Sequence, residues 1–253
     1  MLIDVALNPF EAEVPDLVAA AVRAESAGAD GVWIADHFSG AVVDRGWSRD
    51  PFVCLAAVAS MTDRVRLGPL VANIRNRHPA QLVSAVNSVH SLAPGRVVLG
   101  MGSGAAPGSR FAVEHEAIGT ELGDADHRRR LLVEHIAAVR TLHDGERDDR
   151  LAVADGHPCP PIVVGASAAP TLAVALEHAD GLNVRAGAAA PTLIETARAA
   201  APAGFEISVL EGPTVTGDAI DRYRRLGADR VVIGVSAPFA GADVDAALRH
   251  LAG

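Results

Sequence analysis

The sequence predicts a single (β/α)8 TIM barrel, in which a parallel strand followed by a helix is repeated eight times. Short apolar runs alternate with stretches of helical periodicity along the whole chain, which is typical of repeated βα units. The chain has 253 residues, close to the ~250 residues that such barrels need. The first strand ends in Asn8-Pro9, whereas an open dinucleotide-binding sheet would have a glycine-rich turn there.

The first part of the chain supplies four predicted strands and four predicted helices. The strands cover residues 2–7, 31–35, 65–71 and 96–101, and the helices cover residues 15–27, 51–60, 79–92 and 126–142. Gly28 follows the first helix, and glycine commonly ends a helix in the left-handed conformation. Pro51 opens the second helix, where its missing N–H group costs nothing. Residues 105–125 have weak periodicity and are predicted to form an excursion at the barrel rim.

The second part of the chain completes the pattern with four more βα units. The strands cover residues 162–164, 181–184, 206–210 and 230–235, and the helices cover residues 169–178, 191–200, 218–226 and 243–251. The polar, turn-rich stretch 143–160 is predicted to be a connecting loop. The strands are rich in Val, Ile and Leu, as parallel strands covered on both faces are. The pattern indicates one domain over residues 1–253.

Charge and composition argue against several classes of partner. The formal net charge is −9, whereas nucleic-acid-binding proteins carry a basic patch, so we expect no nucleic acid. The cationic residues are all arginine, which excludes Schiff-base chemistry on lysine. No stretch has the ~20 apolar residues of a membrane span, and the first residues lack the features of a signal peptide. We therefore expect a cytoplasmic protein without a membrane partner.

Metal and disulfide chemistry are not indicated either. Cys54 and Cys159 lie far apart in the sequence and form no Cys-x-x-Cys pair. No histidine and glutamate have a helical ligand spacing such as His-Glu-x-x-His, and carboxylates do not cluster at strand ends. No metal site is predicted.

The residues that follow each strand are the candidates for function, because active sites of these barrels lie at the carboxyl ends of the strands. They are Asn8, Asp36, His37, Phe38, Asn73, Gly102, Ser103, Gly104, Gly165, Ala166, Ser167, Arg185, Glu211 and Ser236. Histidine suits proton transfer near neutral pH. Glycines let a ligand approach the backbone, and the run from 165 to 167 precedes a helix, whose free N–H groups favour a phosphate.

Each of these candidates also has a purely structural interpretation. Asp36 could cap its loop, and His37 could be an ordinary rim histidine. Glycines after a strand are more often turn residues than phosphate cradles. Arg75 and Arg77 could be solvated surface charges.

Four segments of the sequence resemble the bacterial luciferase-like superfamily of flavin- and deazaflavin-dependent oxidoreductases. They are AGADGVWIADHF at 27–38, RVRLGPLV at 64–71 followed by RHPA at 77–80, LAPGRVVLGMGSG at 92–104, and PIVVGAS at 161–167 followed by ADG at 179–181. The third segment, joined to the His-Pro before it, is the most specific. The resemblance covers most of the first two-thirds of the chain.

The Asp-His-Phe ending of the second strand is more similar to the branch that uses coenzyme F420 than to the branch that uses FMN. The resemblance implies that His37 lies beside the redox-active ring and donates or accepts a proton during hydride transfer to or from a small-molecule substrate. Asp36 is then a residue that contacts the ring or orients His37. Both are the predicted catalytic residues.

The resemblance also implies a set of cofactor-binding residues. A non-proline cis peptide bond often lies against the ring after strand three, here between Leu70 and Val71, with Asn73 near the polar edge of the ring. The loop of Gly165, Ala166 and Ser167 would hold the cofactor phosphate. Backbone at Gly102, Ser103 and Gly104 would pass close to the ring or side chain of the cofactor.

Two departures from the family pattern bear on the reaction. Several deazaflavin dehydrogenases carry a glutamate directly after the Gly-x-Gly of strand four, as a second acid/base, and this chain has Ala105. The absence of lysine leaves Arg185 or Arg75 as candidates for an anion partner. Trp47 and Phe111, in the rim loops, are aromatic candidates for lining the substrate pocket.

Three functional hypotheses stay open at this point. The leading one is an F420-dependent oxidoreductase. The second is a monooxygenase that takes reduced FMN and dioxygen, and the third is a protein that binds a flavin or deazaflavin without turnover. Because members of the superfamily often dimerise through barrel helices, the resemblance also points to a homodimer.

Overall fold

A computed structural model describes residues 1–144, 151, 153, 156–239 and 241–249. Within these residues nine strands form one parallel sheet. The strands are β1 (Leu2–Asn8), β2 (Gly31–Ile34), β3 (Arg66–Pro69), β4 (Ala72–Asn73), β5 (Leu99–Gly102), β6 (Ile162–Ala166), β7 (Gly181–Arg185), β8 (Glu206–Glu211) and β9 (Arg230–Ser236). The helices are α1 (Val14–Ser26), α2 (Pro51–Ala59), α3 (Pro79–Leu92), α4 (Val113–Ala117), α5 (Ala125–Asp144), α6 (Ala169–His178), α7 (Ala190–Ala200), α8 (Gly217–Leu226) and α9 (Gly241–Leu248).

The sheet closes into the predicted barrel, with order β3-β2-β1-β9-β8-β7-β6-β5-β4. Its two ends are β3, which lies within the predicted third strand at 65–71, and β4, which follows that strand at 72–73 and was not predicted. β3 pairs with β2, and Leu67 also bridges to Val97 just before β5. β4 pairs with β5 through Ala72 and Met101. The (β/α)8 prediction is confirmed, and the extra strand exists because the chain changes its hydrogen-bonding neighbour after Pro69.

Local signals in the sequence fix where several helices begin. Asp50 accepts hydrogen bonds from the N–H groups of Phe52 and Val53 at 2.8 and 3.1 Å, so it caps α2. His78 and Gln81 form a reciprocal capping box at the start of α3, which satisfies N–H groups that a helix start would otherwise leave unpaired. Both helices therefore begin at the predicted prolines.

The apolar core has two layers because side chains alternate between the two faces of a strand. The outer layer lies between the strands and the helices and includes Val5, Leu7, Ile34 and Leu55. The inner layer fills the barrel, and its buried members are Ala6, Trp33, Leu70, Val98, Val163 and Val232. The barrel is therefore packed inside, as expected for this fold.

A buried ionic cluster lies at the amino ends of the strands. Arg230 donates to Asp4 through Nη1 and to Glu206 Oε1 through Nε at 3.3 Å, and the side chains of Arg230 and Asp4 are 1% and 0% exposed. Trp33 Nε1 donates to Asp4 at 2.7 Å, and Arg66 donates to Glu206 at 2.6 Å. Because buried charges are tolerated only when they are paired, we interpret this network as a structural feature that holds the amino ends of the strands together.

Three predicted segments differ in detail or reach beyond the described residues. The excursion at 105–125 contains α4, a short helix that the weak periodicity did not predict. The predicted loop at 143–160 includes 145–150, 152, 154 and 155, and the predicted last helix includes 250 and 251; these positions lie outside the described residues. Among the described helices, none combines the length and apolar character needed to cross a membrane.

Candidate active site

A cavity of about 280 Å³ opens at the carboxyl ends of the strands. Its lining includes the predicted catalytic and cofactor-binding residues Asp36, His37, Leu70, Val71, Asn73, Gly102, Ser103, Gly104, Gly165, Ala166 and Ser167, whereas the strand-end candidates Asn8, Phe38, Glu211 and Ser236 lie outside it. Ala105, Phe111, Thr171, Asn183, Arg185 and Leu210 complete the lining. The structure thus brings together strand ends that lie far apart in the chain.

One wall of this cavity is backbone around Leu70 and Val71. The peptide bond between these two residues is cis, as the family resemblance implies. A Cβ atom built on Gly102 would lie 2.5 Å from Val71 Cγ2, and one built on Gly165 would lie 3.2 Å from it. Gly102 therefore permits an approach that a larger residue would prevent, and both glycines present bare backbone to the cavity.

A second part of the lining is the start of α6. Gly165, Ala166 and Ser167 lead from β6 into this helix, and its N-cap Ala168 supplies no side-chain acceptor for the first N–H groups. Thr171, in the first turn, also lines the cavity. Free N–H groups at a helix start attract anions. Pro170 has no N–H, and the Thr171 N–H donates to the Ala168 carbonyl at 3.1 Å, so the Ala169 N–H is the helix donor that joins the hydroxyl groups of Ser167 and Thr171 in a site that fits a phosphate group.

His37 is held in the cavity wall by a buried carboxylate on α4. Its Nδ1 lies 2.7 Å from Glu114 Oε1. The Glu114 side chain is only 2% exposed, whereas that of His37 is 21% exposed. The rings of Phe10 and Phe111 flank the imidazole at centroid distances of 5.7 and 6.3 Å. These contacts fix the ring plane of His37 toward the cavity.

The charge of Glu114 determines which nitrogen of His37 carries a proton. Burial alone would raise the pKa of Glu114, but the hydrogen bond and charge of His37 and the N–H of Ser39 outweigh it, so this pKa is lowered. Oε2 also accepts from the N–H groups of Phe38 and Ser39, at 2.8 and 3.1 Å. An ionised carboxylate only accepts hydrogen bonds. His37 Nδ1 must therefore be the donor, which leaves Nε2 free for chemistry.

Asp36 makes a different set of contacts from its neighbour. It is 3% exposed, and its Oδ2 accepts hydrogen bonds from Asn73 N–H at 2.9 Å and from Arg77 Nη1 at 2.7 Å. Arg77 Nη2 also donates to Asp50 at 2.6 Å. Asp36 thus ties the end of β2 to β4 and, through Arg77, to α2. None of its described hydrogen bonds goes to His37.

Arg77 is not the solvated surface charge that its sequence context left open. Its side chain is 15% exposed and pairs with two carboxylates. Burial alone would lower the pKa of Arg77, but Asp36 and Asp50 outweigh burial and raise it. Arg75 is also engaged, because its Nη2 donates to the carbonyl of Glu121 at 2.5 Å.

A buried histidine beside Glu114 contacts another residue of the cavity lining. His115 Nε2 lies 2.8 Å from Asn76 Oδ1 and 3.3 Å from Asn73 Nδ2. Burial is the main cause that lowers the pKa of His115, so the ring is neutral at neutral pH. The short helix α4 therefore positions both His37 and Asn73.

A second cavity of about 580 Å³ adjoins the first. The two cavities share His37, Leu70, Phe111, Arg185 and Leu210. The rest of the second lining is Ala6, Asn8, Phe10, Ala35, Val42, Val43, Arg45, Ala186, Glu211, Gly212, Pro213, Gly234 and Ser236. Two ligands, one in each cavity, would therefore both face His37.

Sequence reasoning missed the acidic partner of His37 and identified one of two aromatic candidates correctly. Glu114 lies in the weakly periodic excursion, where no local signal in the sequence indicates its burial. Phe111 lines both cavities, whereas Trp47 lines neither and stacks under the Arg49 guanidinium at 4.1 Å. Ala105 lines the first cavity without a carboxylate. Within the described part of the chain, no three His, Cys, Asp or Glu side chains are grouped as metal ligands.

Comparison with known proteins places this geometry in a family. The model of a family described as luciferase-like monooxygenase matches residues 4–252. An F420-dependent hydroxymycolic acid dehydrogenase of Mycobacterium tuberculosis is 32% identical over 190 residues, which cover 71% of this chain and 51% of the relative. An F420-dependent glucose-6-phosphate dehydrogenase of Kineococcus radiotolerans is 35% identical over 128 residues, which cover 50% of this chain and 36% of the relative. The matches thus span about half of the first relative's length and about a third of the second's.

The fold has a near-complete match among solved structures. An F420-dependent secondary alcohol dehydrogenase in complex with an F420-acetone adduct superposes with a TM-score of 0.79 at 18% identity. The superposition covers 98% of this chain and 97% of the other. At this identity the likeness concerns the fold alone.

Proposed function

Because the chain belongs to the luciferase-like monooxygenase family, we propose that it is an F420-dependent oxidoreductase that moves a hydride between the deazaflavin and a small organic substrate. The observation that carries this proposal is the single cavity that gathers His37, the Leu70–Val71 turn and the start of α6. The F420 dependence named for the relatives and for the structural neighbour supports the choice of cofactor.

The residues of the first cavity suit a planar ring with a phosphate-bearing tail. Gly102 and Gly165 let the Val71 side chain pack against the strand ends, so Leu70 and Val71 can form the wall against which a ring lies. The uncapped start of α6 would hold the phosphate. When bound, the deazaflavin accepts or donates the hydride, and the protein supplies orientation and electrostatics.

His37 would exchange the proton that accompanies the hydride. Its Nε2 is the free ring nitrogen, and the ring lines both cavities. Oxidation of an alcohol releases one hydride from carbon and one proton from oxygen, and the reverse reaction takes up both. A neutral imidazole at this place can accept that proton, and an imidazolium can return it.

Glu114 would act through His37 as a positioning residue. Its carboxylate accepts the Nδ1–H bond, which fixes the tautomer and stabilises the imidazolium that proton uptake creates. Asp36 would hold Asn73 at the cavity edge through the bond at 2.9 Å. In this proposal Asp36 positions the cofactor side of the cavity and does not transfer a proton.

Separate titrations of the cofactor-free protein with F420 and with FMN test the cofactor assignment. We expect F420 to bind, and we expect the complex to change its F420 absorbance with at least one member of a panel of alcohols, aldehydes and ketones. His37→Ala should bind F420 but turn over at least ~10²-fold more slowly, the usual size of a general acid–base contribution. Unchanged turnover would remove His37 from the mechanism.

The other two hypotheses correspond to distinct outcomes of this test. Tight binding of FMN without binding of F420 would contradict the proposal and favour a monooxygenase, the activity in the family's description. Binding of F420 with no absorbance change across the panel, in both redox directions, would favour a cofactor-binding protein without turnover.

We also infer a homodimer that buries the outer face of α2. This helix, PFVCLAAVA, is apolar all round, and Val53 on its outer face is 63% exposed. A groove of about 630 Å³ between α2 and α3 is lined by the apolar side chains of Phe38, Phe52, Val53, Ala56, Ala85 and Val89 and by the polar side chains of Asp50, Asn76, Arg77, Gln81 and Ser88. Light scattering should show a dimer, and Val53→Asp should shift it to monomer. A monomeric parent protein would refute this inference.

A further inference from the structure

Gly234 faces the inside of the barrel from β9. Val232, two residues earlier, belongs to the inner core layer with Ala6 and Leu70, and side chains two residues apart lie on the same face of a strand. Gly234 pairs in register with Ala6 on β1, and both residues line the second cavity. A glycine and an alanine therefore lie side by side where the filled interior of the barrel ends and the cavity begins.

Neither the backbone nor the packing requires a glycine at position 234. Gly234 is part of a regular strand and does not have a positive φ. Among the described residues, a Cβ atom built on it would have one neighbour within 4 Å, the Glu211 carbonyl oxygen at 3.3 Å. At Gly68 and Gly100, by contrast, a Cβ atom would lie 2.1 and 2.2 Å from a carbonyl oxygen. A glycine within a strand weakens the strand and often marks a place where a ligand approaches closely.

The second cavity has an apolar floor and a polar mouth. We define the floor as Ala6, Gly234, Leu70 and Leu210, which line the cavity and either belong to the inner core layer or lie against it. The polar and charged side chains of the lining come from strand ends and loops, and they are Asn8, His37, Arg45, Arg185, Glu211 and Ser236.

The polar mouth begins one pleat above the floor. Asn8 and Ser236 follow Ala6 and Gly234 by two residues on the same strands, so they lie roughly 6.6 Å nearer the mouth. The Asn8 side chain donates to the Ser236 hydroxyl at 3.1 Å. The floor therefore offers an apolar recess below a ring of polar groups.

We propose that Gly234 is a specificity-determining residue, which leaves the floor open for an apolar chain on the substrate alcohol or carbonyl compound. This inference rests on the proposed function. His37 and Leu70 line both cavities, so a molecule whose chain lies on the floor can present its reacting carbon to His37. The four floor residues carry no charge, so the favoured chain is uncharged.

The cofactor is the other possible occupant of the floor. Gly165, Ala166 and Ser167, where the cofactor phosphate would lie, line the first cavity and are absent from the lining of the second. Gly234 and Ala6 line the second cavity and are absent from the lining of the first. We therefore assign the floor to the substrate, and the test measures the affinity for F420 as well.

Steady-state turnover with methyl ketones of increasing chain length tests this assignment. The series is acetone, methyl propyl ketone and methyl hexyl ketone with reduced F420, together with the corresponding secondary alcohols and oxidised F420. We expect kcat/KM of the parent protein to rise by about fourfold for each methylene group that reaches the floor. In Gly234→Val, kcat/KM for the hexyl compounds should fall at least about tenfold, mainly through KM. The same ratio for acetone and isopropanol should change less than about twofold.

Gly217→Val is the matched control. Gly217 is exposed at the start of α8, and a Cβ atom there would meet no described atom within 4 Å. This variant should keep the chain-length preference of the parent. If urea unfolding shows that Gly234→Val does not fold, Gly234→Ala and Ala6→Val replace it. Each fills part of the floor and should lower kcat/KM for the hexyl compounds at least about threefold.

Three results would overturn the inference. The first is a parent kcat/KM that stays constant or falls as the chain lengthens. The second is a Gly234→Val protein with the chain-length preference of the parent. The third is a loss of F420 affinity in Gly234→Val of more than about tenfold, which would assign the floor to the cofactor.

The proposed function can fail separately. A parent protein that binds no F420, or that turns over none of these compounds, would contradict that function. The affinity of the protein for methyl hexyl ketone is then measured by NMR titration. Binding that Gly234→Val weakens at least about tenfold would support the apolar floor. Equal binding by both proteins, or binding by neither, would refute it.

Discussion

Replacing Glu114 by glutamine tests the proposed proton-transfer geometry most directly, because the substitution keeps the shape and exchanges one oxygen for an NH2 group. The N–H groups of Phe38 and Ser39 donate to Oε2 at 2.8 and 3.1 Å. Only the amide oxygen can replace that acceptor, so the NH2 group must face His37. An NH2 group donates, so His37 Nδ1 must become the acceptor. The imidazole proton then moves to Nε2, on the cavity side.

The expected decrease in turnover follows from the loss of the general base in the cavity. With a proton fixed on Nε2, neutral His37 can no longer accept one there, and the whole general-base contribution of about 10²–10⁴-fold is lost. Glu114→Ala removes only the charged hydrogen bond at 2.7 Å, worth about 1.5–3 kcal/mol, or roughly 10–150-fold in rate. The isosteric variant should therefore be slower than the truncated one.

Nitrogen-15 NMR of the imidazole rings and F420 turnover together provide the assay. The His37 signal, identified by its absence from a His37→Gln protein, should report a proton on Nδ1 in the parent and on Nε2 in Glu114→Gln. Glu116→Gln is the control, because Glu116 lies on the same short helix but is exposed. A Glu114→Gln protein with the parent tautomer, or with higher turnover than Glu114→Ala, would refute the reasoning.

Three further predictions concern packing and stability. Gly102→Val should displace the Val71 side chain, which lies 2.5 Å from the Cβ position, and overpacking of this kind costs about 1–3 kcal/mol. Because Val71 lines the cavity proposed for the ring, F420 binding should weaken at least about tenfold. Unchanged affinity in a fluorescence titration would place the ring elsewhere. Asp36→Asn leaves Arg77 with Asp50 as its remaining acidic partner and should lower the free energy of unfolding by about 1.5–3 kcal/mol, measured in urea. Because the pKa of Glu114 is lowered from 4.5 in the folded protein, its carboxylate stabilises the fold above that pH and less as the pH falls. The stability advantage of the parent over Glu114→Gln should therefore shrink in urea titrations below pH ~4.5, and a constant difference would contradict the assignment.

Local periodicity was enough to predict the barrel and the strand ends. Strands of period 2 and helices of period 3.6 can be read within short windows of sequence, and the fold rule then places His37 and Gly102 at one end of the barrel. The break in the third strand could not be seen in this way. Residues 65–71 are mostly apolar throughout, and the change of hydrogen-bonding neighbour after Pro69 depends on the closed sheet.

The burial of Glu114, the partner of His37, could not be predicted from the local sequence for a similar reason. Glu114 is 77 residues away in sequence, on a helix of five residues that is too short to show an amphipathic pattern. Glu116 and Glu121 lie in the same excursion and are exposed. Nothing in the local sequence distinguishes the buried acid from these two, because its burial is created by the tertiary contact itself.

The combination of Ala105 and Glu114 limits the chemistry that this cavity can perform. Among the described residues that line the first cavity, the charged or titratable side chains are Asp36, His37 and Arg185. Asp36 is committed to Arg77 and to the Asn73 N–H, and an arginine keeps its proton. His37 is thus the group that can exchange a proton with a substrate. Glu114 contacts His37 through Nδ1, so it can compensate the charge of the imidazolium but cannot deliver a proton to the cavity.

We therefore expect reactions that balance one hydride with one proton, such as interconversion of an alcohol and a carbonyl compound. A reaction that needs a second acid would have to take it from the substrate or from Glu211, which lines the second cavity and accepts hydrogen bonds from the Tyr223 hydroxyl and the Gly212 N–H.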